Sequence, residues 1–377
     1  MPVYYFMLIW VIIWGSISLL TSKQVSINDG IYERKVNWTI SIITFSAIIF
    51  FAGLRSYGVA DTGAYIDMFK SYPNTLVNIF NNIPSGDSDM IGFILLSTFI
   101  KTYISSDYSV WLFIIATISG ICIVTTLYKY SENFGISVFL FMVSCQFTWM
   151  FNGMRQYLAV AILFASTTFI INKKSLKYFL IVLLTSTIHK TAIIMIPTYF
   201  IVQGEPWNKK TLAIIGIVIC CVIFSSEFLN LFDSAMEQTE YAISYQDNKL
   251  IDDGVNIMTI LVQSVPLVIA FLFRENLKDK YTPIINISIN MSIIAISIYI
   301  VSKIVSSGIL IGRIAVYFTA YNLILMPWVL SNSFDKNEKR LMYFVMFICY
   351  LVFFYYQLEV AWNGWPYFSK ILEISYN

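Results

Sequence analysis

The sequence has little charge and almost no histidine. Only 12% of its 377 residues are charged, and His189 is the single histidine. Soluble domains average about 25% charged residues, so this composition excludes an ordinary soluble enzyme. Lysine and arginine number 24 against 22 acidic residues, which leaves no broad basic face for nucleic acid. We therefore expect no nucleic-acid partner.

Cysteine patterns that bind metal or build a disulfide scaffold are also missing. The five cysteines all lie inside apolar runs and show no CxxC or Cys/His spacing. This excludes the common zinc sites and a disulfide-stapled fold. Asp87 and Asp89 have the spacing of a loose DxD pair, which we interpret as part of a solvated loop or a helix cap. We predict neither a metal site nor a cofactor.

What the chain has in abundance is long apolar runs. Hydrophobic residues make up 58% of it, and its mean hydropathy is +0.72. Runs of about 18 apolar residues can cross the roughly 30 Å hydrocarbon core of a bilayer, where only helices satisfy their own backbone. The sequence predicts an all-α polytopic membrane protein with about ten transmembrane helices, at Val3–Leu20, Trp38–Leu54, Tyr108–Tyr128, Phe134–Met150, Met154–Ile171, Thr211–Leu229, Asn256–Phe273, Pro283–Ile304, Ile314–Leu330 and Leu341–Leu358.

Two further segments are ambiguous. Ile91–Ile104 is short, and Tyr178–Val202 is interrupted by His189 and Lys190. We interpret both as re-entrant or interfacial segments that return to the side from which they came. The first apolar run lacks a basic leader and a cleavage site, so it is predicted to be a span and not a signal peptide. Without a linker or a clear repeat, residues 1–377 are expected to form a single membrane domain.

Lysine and arginine in the short loops predict the orientation. If the basic loop at 23–35 is cytoplasmic, the cytoplasmic segments carry 15 basic residues and the outer segments carry 8. The lysines of 173–177 are then inside and both termini are outside. The polar segments 55–90 and 230–255 face outward. The predicted location is the cytoplasmic membrane of a bacterium, with the active site facing outward.

Four residues place charge or a titratable group where it is costly. Arg55, Arg155 and Arg313 lie at the predicted outer ends of spans, and His189 interrupts an apolar run. Each arginine could simply extend to the membrane interface, and His189 could be a packed residue. Asp61 could be a helix cap. A cluster of fixed cations at one face, however, is suited to an anionic head group at the lipid boundary.

Five short motifs occur in order along the chain. They are Arg55 with Asp61-Thr62 and Tyr65, Asn152-Gly-Met-Arg155-Gln156, His189-Lys190-Thr191-Ala192, Arg313 with Tyr317-Phe318, and Trp365-Pro366-Tyr367. In this order they resemble the EpsG-like group of Wzy-type polysaccharide polymerases, which extend capsule, exopolysaccharide or O-antigen chains. The chain departs from the usual pattern at Val59, where a glycine is common, and at Gly312, where an asparagine is common.

The resemblance implies a glycosyltransferase reaction at the outer face of the membrane. A growing glycan on a polyprenyl diphosphate would be transferred to a sugar hydroxyl of an incoming lipid-linked repeat unit. Donor and acceptor oligosaccharides, membrane lipid and a chain-length regulator are the partners that it implies. In this scheme Arg155 and Arg313 bind the diphosphate, and Arg55 supports either them or the acceptor. The remaining substrate-binding residues are Gln156, Tyr65, Tyr317 and Tyr367.

The attacking hydroxyl needs a proton acceptor. An unperturbed imidazole has a pKa near 6.5, which suits His189 to act as a general base, and Asp61 is the alternative.

Other functions also need basic residues near lipid. A flippase or transporter would commonly show internal repeats and midplane charges, which this chain does not. An O-antigen ligase would use the same donor with another acceptor. A membrane acyltransferase would need a supporting His/Asp signature, which is missing.

Overall fold

The computed structural model describes residues 2–28, 31–77, 79, 90–237 and 252–374. These residues are largely helical, and an antiparallel hairpin follows the first helix, with strands β1 (Lys23–Asn28) and β2 (Ile31–Lys35). The predicted all-α polytopic fold is confirmed. Parts of the predicted outward segments, including Asp87, Asp89 and residues 238–251, lie outside the described residues.

The chain divides into two compact units. Unit 1 is Met1–Ile196 with Phe347–Asn377, and unit 2 is Pro197–Met346. The expectation of one membrane domain stays a prediction. The helices of unit 1 are α1 (Pro2–Leu20), α2 (Trp38–Gly53), α3 (Thr62–Ser71), α4 (Ile91–Tyr103), α5 (Tyr108–Tyr130), α6 (Phe134–Val143), α7 (Met154–Ala165), α8 (Thr167–Ile171) and α9 (Ser175–Ser186), with 3-10 turns at Gln146–Met150 and Lys190–Ile194.

Unit 2 begins within α10 and ends within the last long helix. Its helices are α10 (Met195–Ile201), α11 (Lys209–Ile223), α12 (Ser225–Glu237), α13 (Ile257–Leu272), α14 (Arg274–Leu277), α15 (Pro283–Ile304), α16 (Val316–Thr319), α17 (Asn322–Ser333) and α18 (Lys336–Tyr355), with 3-10 turns at Lys278–Lys280 and Gly312–Ala315. A π-helical turn, Tyr356–Ala361, extends α18 in unit 1. Inside unit 2, α15 packs against α11, α13 and α17.

The ten predicted spans all correspond to helices, but not all are long and straight. Five helices of the described residues are long and apolar enough to cross a membrane, and three bent helix pairs raise the number to eight. The remaining two predicted spans are shorter. Helix α2 has 16 residues, about 24 Å, and α6 ends after 10 because Cys145 takes a left-handed backbone with a φ of 60°. Apolar composition does not reveal such breaks.

Both ambiguous segments form short helices, the first because the segment is short and the second because it breaks near His189 and Lys190. Ile91–Tyr103 has 13 residues. The second segment breaks after Ser186, and a 3-10 turn starts at Lys190 and contacts α9. Neither is long enough alone to cross the hydrocarbon core.

Small residues set the helix packing of unit 1. A Cβ added to Gly53 of α2 would lie 2.5 Å from the Phe113 ring of α5, and one added to Gly120 of α5 would lie 2.4 Å from Ile49 of α2. A Cβ on Gly135 of α6 would lie 2.6 Å from a backbone oxygen of α1. In lipid, close backbone approach of this kind replaces the hydrophobic driving force between helices.

A single span lies between Arg155, predicted to be outside, and Lys174, predicted to be inside, which allows a test of the orientation. Helices α7 and α8 form one apolar span from Met154 to Ile171, about 27 Å long, with Arg155 at its first turn and Lys174 just beyond its end. In a variant without the native cysteines, we expect a membrane-impermeant thiol reagent to label Asp67→Cys in intact cells and to spare Lys174→Cys. Both positions are exposed, so permeabilised cells are the control. The reverse labelling pattern would overturn the orientation.

Candidate functional site

Arg55 follows the end of α2 and is buried. Only 1% of its surface is exposed. Its Nε donates a hydrogen bond to Thr62 Oγ1 at 2.8 Å, and its Nη1 donates to the Ala52 carbonyl. Its Nη2 lies 3.2 Å from Met154 Sδ, and its guanidinium carbon lies 5.7 Å from the centre of the Phe151 ring. The guanidinium therefore joins the loop before α3 to the start of α7.

No carboxylate neutralises this buried cation. Within the described residues, no Asp or Glu oxygen lies within 4.0 Å of Arg55. Burial lowers the pKa of the Arg55 guanidinium to about 10, against the opposing effect of nearby groups that include Tyr65. At neutral pH it remains protonated. A buried charge without a counter-ion is costly, which makes it a functional candidate.

Arg155 lies in the first turn of α7. It directly follows Met154, whose sulfur contacts Arg55. The helix begins after Gly153, which has a φ of +71° and a backbone that favours glycine. Arg155 Nη1 contacts Met90 Sδ, and its guanidinium carbon lies 5.7 Å from the centre of the Tyr65 ring. Its buried Nε has no hydrogen-bond partner among the described residues. Arg155 thus keeps a donor that the described part of the chain does not use.

Tyr65 connects the two arginines. It lies on α3, is 7% exposed, and packs in one apolar cluster with Met154. Its ring faces Arg155, and its electrostatic interaction with Arg55 raises the pKa of that guanidinium. The structure therefore brings Arg55, Arg155 and Tyr65 together within unit 1.

The C-terminal segment holds the loop that carries Arg55. Tyr367 donates a hydrogen bond to the Phe51 carbonyl at 3.0 Å, and Ser369 Oγ donates to the Leu54 carbonyl at 2.6 Å. The Ser56 amide in turn donates to the Phe368 carbonyl at 3.0 Å. Tyr367 thus braces the arginine loop, and its part in substrate binding stays a prediction.

Three neighbours of this cluster were not among the predicted site residues. Thr62 binds the Arg55 guanidinium, Phe151 lies beside it, and Tyr4 packs against Tyr367 and stacks on Trp365. Thr62 lies within the first motif and Phe151 directly precedes the second, so both could have been found from the sequence. Tyr4 lies at the other end of the chain, and no sequence pattern points to it.

Asp61 precedes α3 and is partly exposed. Its side chain makes no capping hydrogen bond, so the interpretation of Asp61 as a side-chain helix cap is wrong. Among the residues described, no hydrogen bond or ion pair involves its carboxylate. It is next to Thr62, whose hydroxyl accepts from Arg55. A carboxylate without a partner among the described residues is available to act on a substrate.

His189 lies in the break between α9 and the next 3-10 turn. Its backbone is extended, and Nδ1 lies 2.8 Å from Thr191 Oγ1. The preceding Ile188 packs against the cluster that contains Tyr65, and the carbonyl of Thr187 accepts from the Gly92 amide at 2.9 Å. The broken helix thus reaches the same cluster as the two arginines.

The other predicted residues divide between the units. Gln156 is buried on α7, next to Tyr157, whose hydroxyl is buried without a hydrogen-bond partner. Arg313 and Tyr317 belong to unit 2, on the 3-10 turn Gly312–Ala315 and on α16. Gly58, one position before the site of the family's usual glycine, takes a positive φ of 87° and so supplies the left-handed turn before Asp61.

This arrangement can bind an anion at the end of a membrane helix. Met154 and Tyr65 link the two arginines, and within the described residues Arg55 is buried without an ion-pair partner and Arg155 Nε has no hydrogen-bond partner. Arginine offers a planar fork of donors that matches two oxygens of a phosphate. Within the residues that the structure describes, no group of three His, Cys, Asp or Glu side chains could hold a metal ion.

The sequence was compared with protein families, curated proteins and solved structures. No curated protein and no solved structure matches it. The EpsG family matches residues 38–369, which include every site residue described above except Tyr4. This match confirms the resemblance seen in the five motifs. The chain belongs to the EpsG family of Wzy-like polysaccharide polymerases.

Proposed function

We propose that this protein polymerises lipid-linked oligosaccharide repeat units at the outer face of the cytoplasmic membrane. Membership of the EpsG family supports a polysaccharide polymerase in general. The observation that carries the finer proposal is the pair Arg55 and Arg155, two arginines linked through Met154 and Tyr65 that form no ion pair with a carboxylate among the described residues.

Arg155 is the residue that we assign to the diphosphate. Its Nε has no hydrogen-bond partner in the described part of the chain, whereas the Arg55 donors bind Thr62, Ala52 and Met154. Arg55 then acts as a support that holds α3 against α7 and adds a fixed positive field. The part of Arg313 in diphosphate binding stays a prediction, because Arg313 belongs to unit 2.

The reaction breaks the bond between the anomeric carbon of the donor glycan and the oxygen of its polyprenyl diphosphate. A hydroxyl of the acceptor repeat unit forms the new glycosidic bond and gives its proton to a base. The leaving diphosphate gains negative charge as the bond breaks. Fixed guanidinium donors stabilise that charge more in the transition state than in the ground state, which is the condition for catalysis.

Two groups of unit 1 are able to accept the proton. If His189 Nδ1 carries the hydrogen and donates to Thr191, the other ring nitrogen keeps a lone pair. Asp61, at the end of the loop that begins with Arg55, is partly exposed, and its carboxylate has no partner among the described residues. We propose His189 as the base, with Asp61 as the alternative.

Deleting the gene in the native host tests the function. A polymerase mutant is expected to carry single repeat units and to lose the ladder of surface glycan on a gel, because units are still made and exported but not joined. Complementation with the wild-type gene should restore the ladder. A ladder retained on the lipid carrier would show a ligase. Repeat units trapped on the inner face would show a flippase.

A further inference from the structure

An apolar groove lies in unit 1 between α1, α2 and α5. Its volume is about 520 Å³, within the roughly 300–1,000 Å³ of sites that bind small molecules. Five aromatic side chains form much of its wall: Phe6, Trp10, Phe50, Phe51 and Phe113. The groove therefore offers a concave aromatic surface on the membrane-embedded helices.

The polar side chains of the groove do not face a polar ligand. Trp10 Nε1 donates to the Ile43 carbonyl at 2.8 Å, and Ser46 Oγ donates to the same carbonyl at 2.8 Å. Thr117 Oγ1 donates to the Phe113 carbonyl at 2.7 Å. Because these donors are used by the backbone, the wall presents only hydrocarbon. A sugar would lose its hydrogen bonds to water here, whereas a hydrocarbon chain would not.

The wall of the groove adjoins the aromatic side chains that pack beside Arg55. The Phe51 ring lines the groove and also lies 5.6 Å from the ring of Tyr367, whose hydroxyl binds the Phe51 carbonyl. Tyr367 in turn contacts Phe151, the ring beside the Arg55 guanidinium. Two aromatic side chains, Tyr367 and Phe151, thus lie between the groove-lining Phe51 and the Arg55 guanidinium.

An amphiphile with an anionic head and a long apolar tail fits both features at once. We propose that the groove binds the isoprenoid tail of the lipid-linked substrate, next to the diphosphate, an inference that rests on the proposed function. The cations hold the head group and the aromatic wall holds the first isoprene units. The tail thereby orients the diphosphate ester toward Arg155. Glycines maintain the wall, since a Cβ on Gly53 would collide with Phe113.

Photolabelling tests the occupant of the groove. The purified full chain is placed in phosphatidylglycerol vesicles with a polyprenyl diphosphate that carries a diazirine on the isoprene units nearest the head. We expect the label on peptides containing Phe50 and Phe113. Excess unlabelled polyprenyl diphosphate should reduce it at least about tenfold, whereas added phosphatidylglycerol should not. Label spread evenly over all lipid-facing helices would mean bulk lipid only and would overturn the proposal.

A matched pair of variants separates filling the groove from adding bulk to the surface. Ser46→Trp places an indole inside the groove, and Ser16→Trp places one on exposed α1, outside it. Both serines bond a backbone carbonyl of their own helix. We expect the label to fall at least about tenfold in Ser46→Trp only. Equal labelling of the two variants would contradict the proposal that the groove binds the isoprenoid tail.

The groove and the proposed function can fail separately. If Ser46→Trp labels like Ser16→Trp while Arg155→Lys abolishes the glycan ladder, the function stands and the groove proposal is wrong. If groove labelling is competed by polyprenyl diphosphate while Arg155→Lys keeps a normal ladder, the tail site stands and the assigned role of Arg155 is wrong.

Discussion

Arg155→Lys is expected to slow polymerisation roughly 10²–10³-fold while the protein accumulates normally in the membrane. Lysine keeps the positive charge, but its single ammonium cannot span two phosphate oxygens as the guanidinium fork does. It would also lose the planar contact with the Tyr65 ring that orients Arg155. Charge alone would therefore not restore the stabilisation of the leaving diphosphate.

The measurement is the extension of lipid-linked repeat units in membranes from a deletion strain that carries each variant. Arg274→Lys is the matched control, because Arg274 is exposed and pairs with Glu275 on the surface of unit 2. It should extend glycan within about twofold of the wild type, since exposed ion pairs contribute little. An Arg155→Lys variant as active as this control would make Arg155 an interfacial anchor and not a diphosphate ligand.

Removing the proton acceptor is expected to cost about 10²–10⁴-fold in rate and to leave donor binding intact. The proposal predicts this loss for His189→Gln, which keeps a polar side chain but lacks a basic nitrogen. Asp61→Asn should then retain most of the activity. If Asp61 is the base, the two variants exchange their behaviour, because asparagine cannot accept a proton at neutral pH.

Asp67→Asn is the control for the carboxylate variant. Asp67 lies on α3, the helix that begins directly after Asp61. It is exposed and accepts a hydrogen bond from Tyr57 at 2.7 Å. It should polymerise at nearly the wild-type rate. Extension rates are measured together with photolabelling by the polyprenyl diphosphate probe, which separates lost chemistry from lost binding. Full activity of both His189→Gln and Asp61→Asn would show that neither group is the base.

The sequence predicted the site because charge in an apolar chain is rare and therefore informative. Arg55 and Arg155 stand out among apolar runs, and the structure brings them together through Met154 and Tyr65. Which arginine has unused donors was not predictable. That depends on Thr62, Ala52 and the Arg155 environment, which only the folded backbone brings into hydrogen-bonding distance.

The break at His189 was predictable for a similar reason, since two polar residues interrupt an apolar segment there. The break at Cys145 was not, because a left-handed residue inside an apolar run leaves no trace in hydropathy. Likewise Asp61 has the sequence of a helix cap, but its side chain does not make the capping bond. The rotation of this side chain determines whether the capping hydrogen bond forms, and composition does not reveal that rotation.

By itself the sequence determined that this protein is a helical membrane protein of the EpsG family, because apolar length dictates helices in lipid and rare polar motifs identify the family. The tertiary structure decided which helices are short or bent, and that Tyr4 and Tyr367, from opposite ends of the chain, meet beside Arg55. It also formed the groove at Phe51, since glycine contacts between α2 and α5 set the distance between its walls. Such properties depend on contacts between residues far apart in the chain, and a pattern of residue types does not encode them locally.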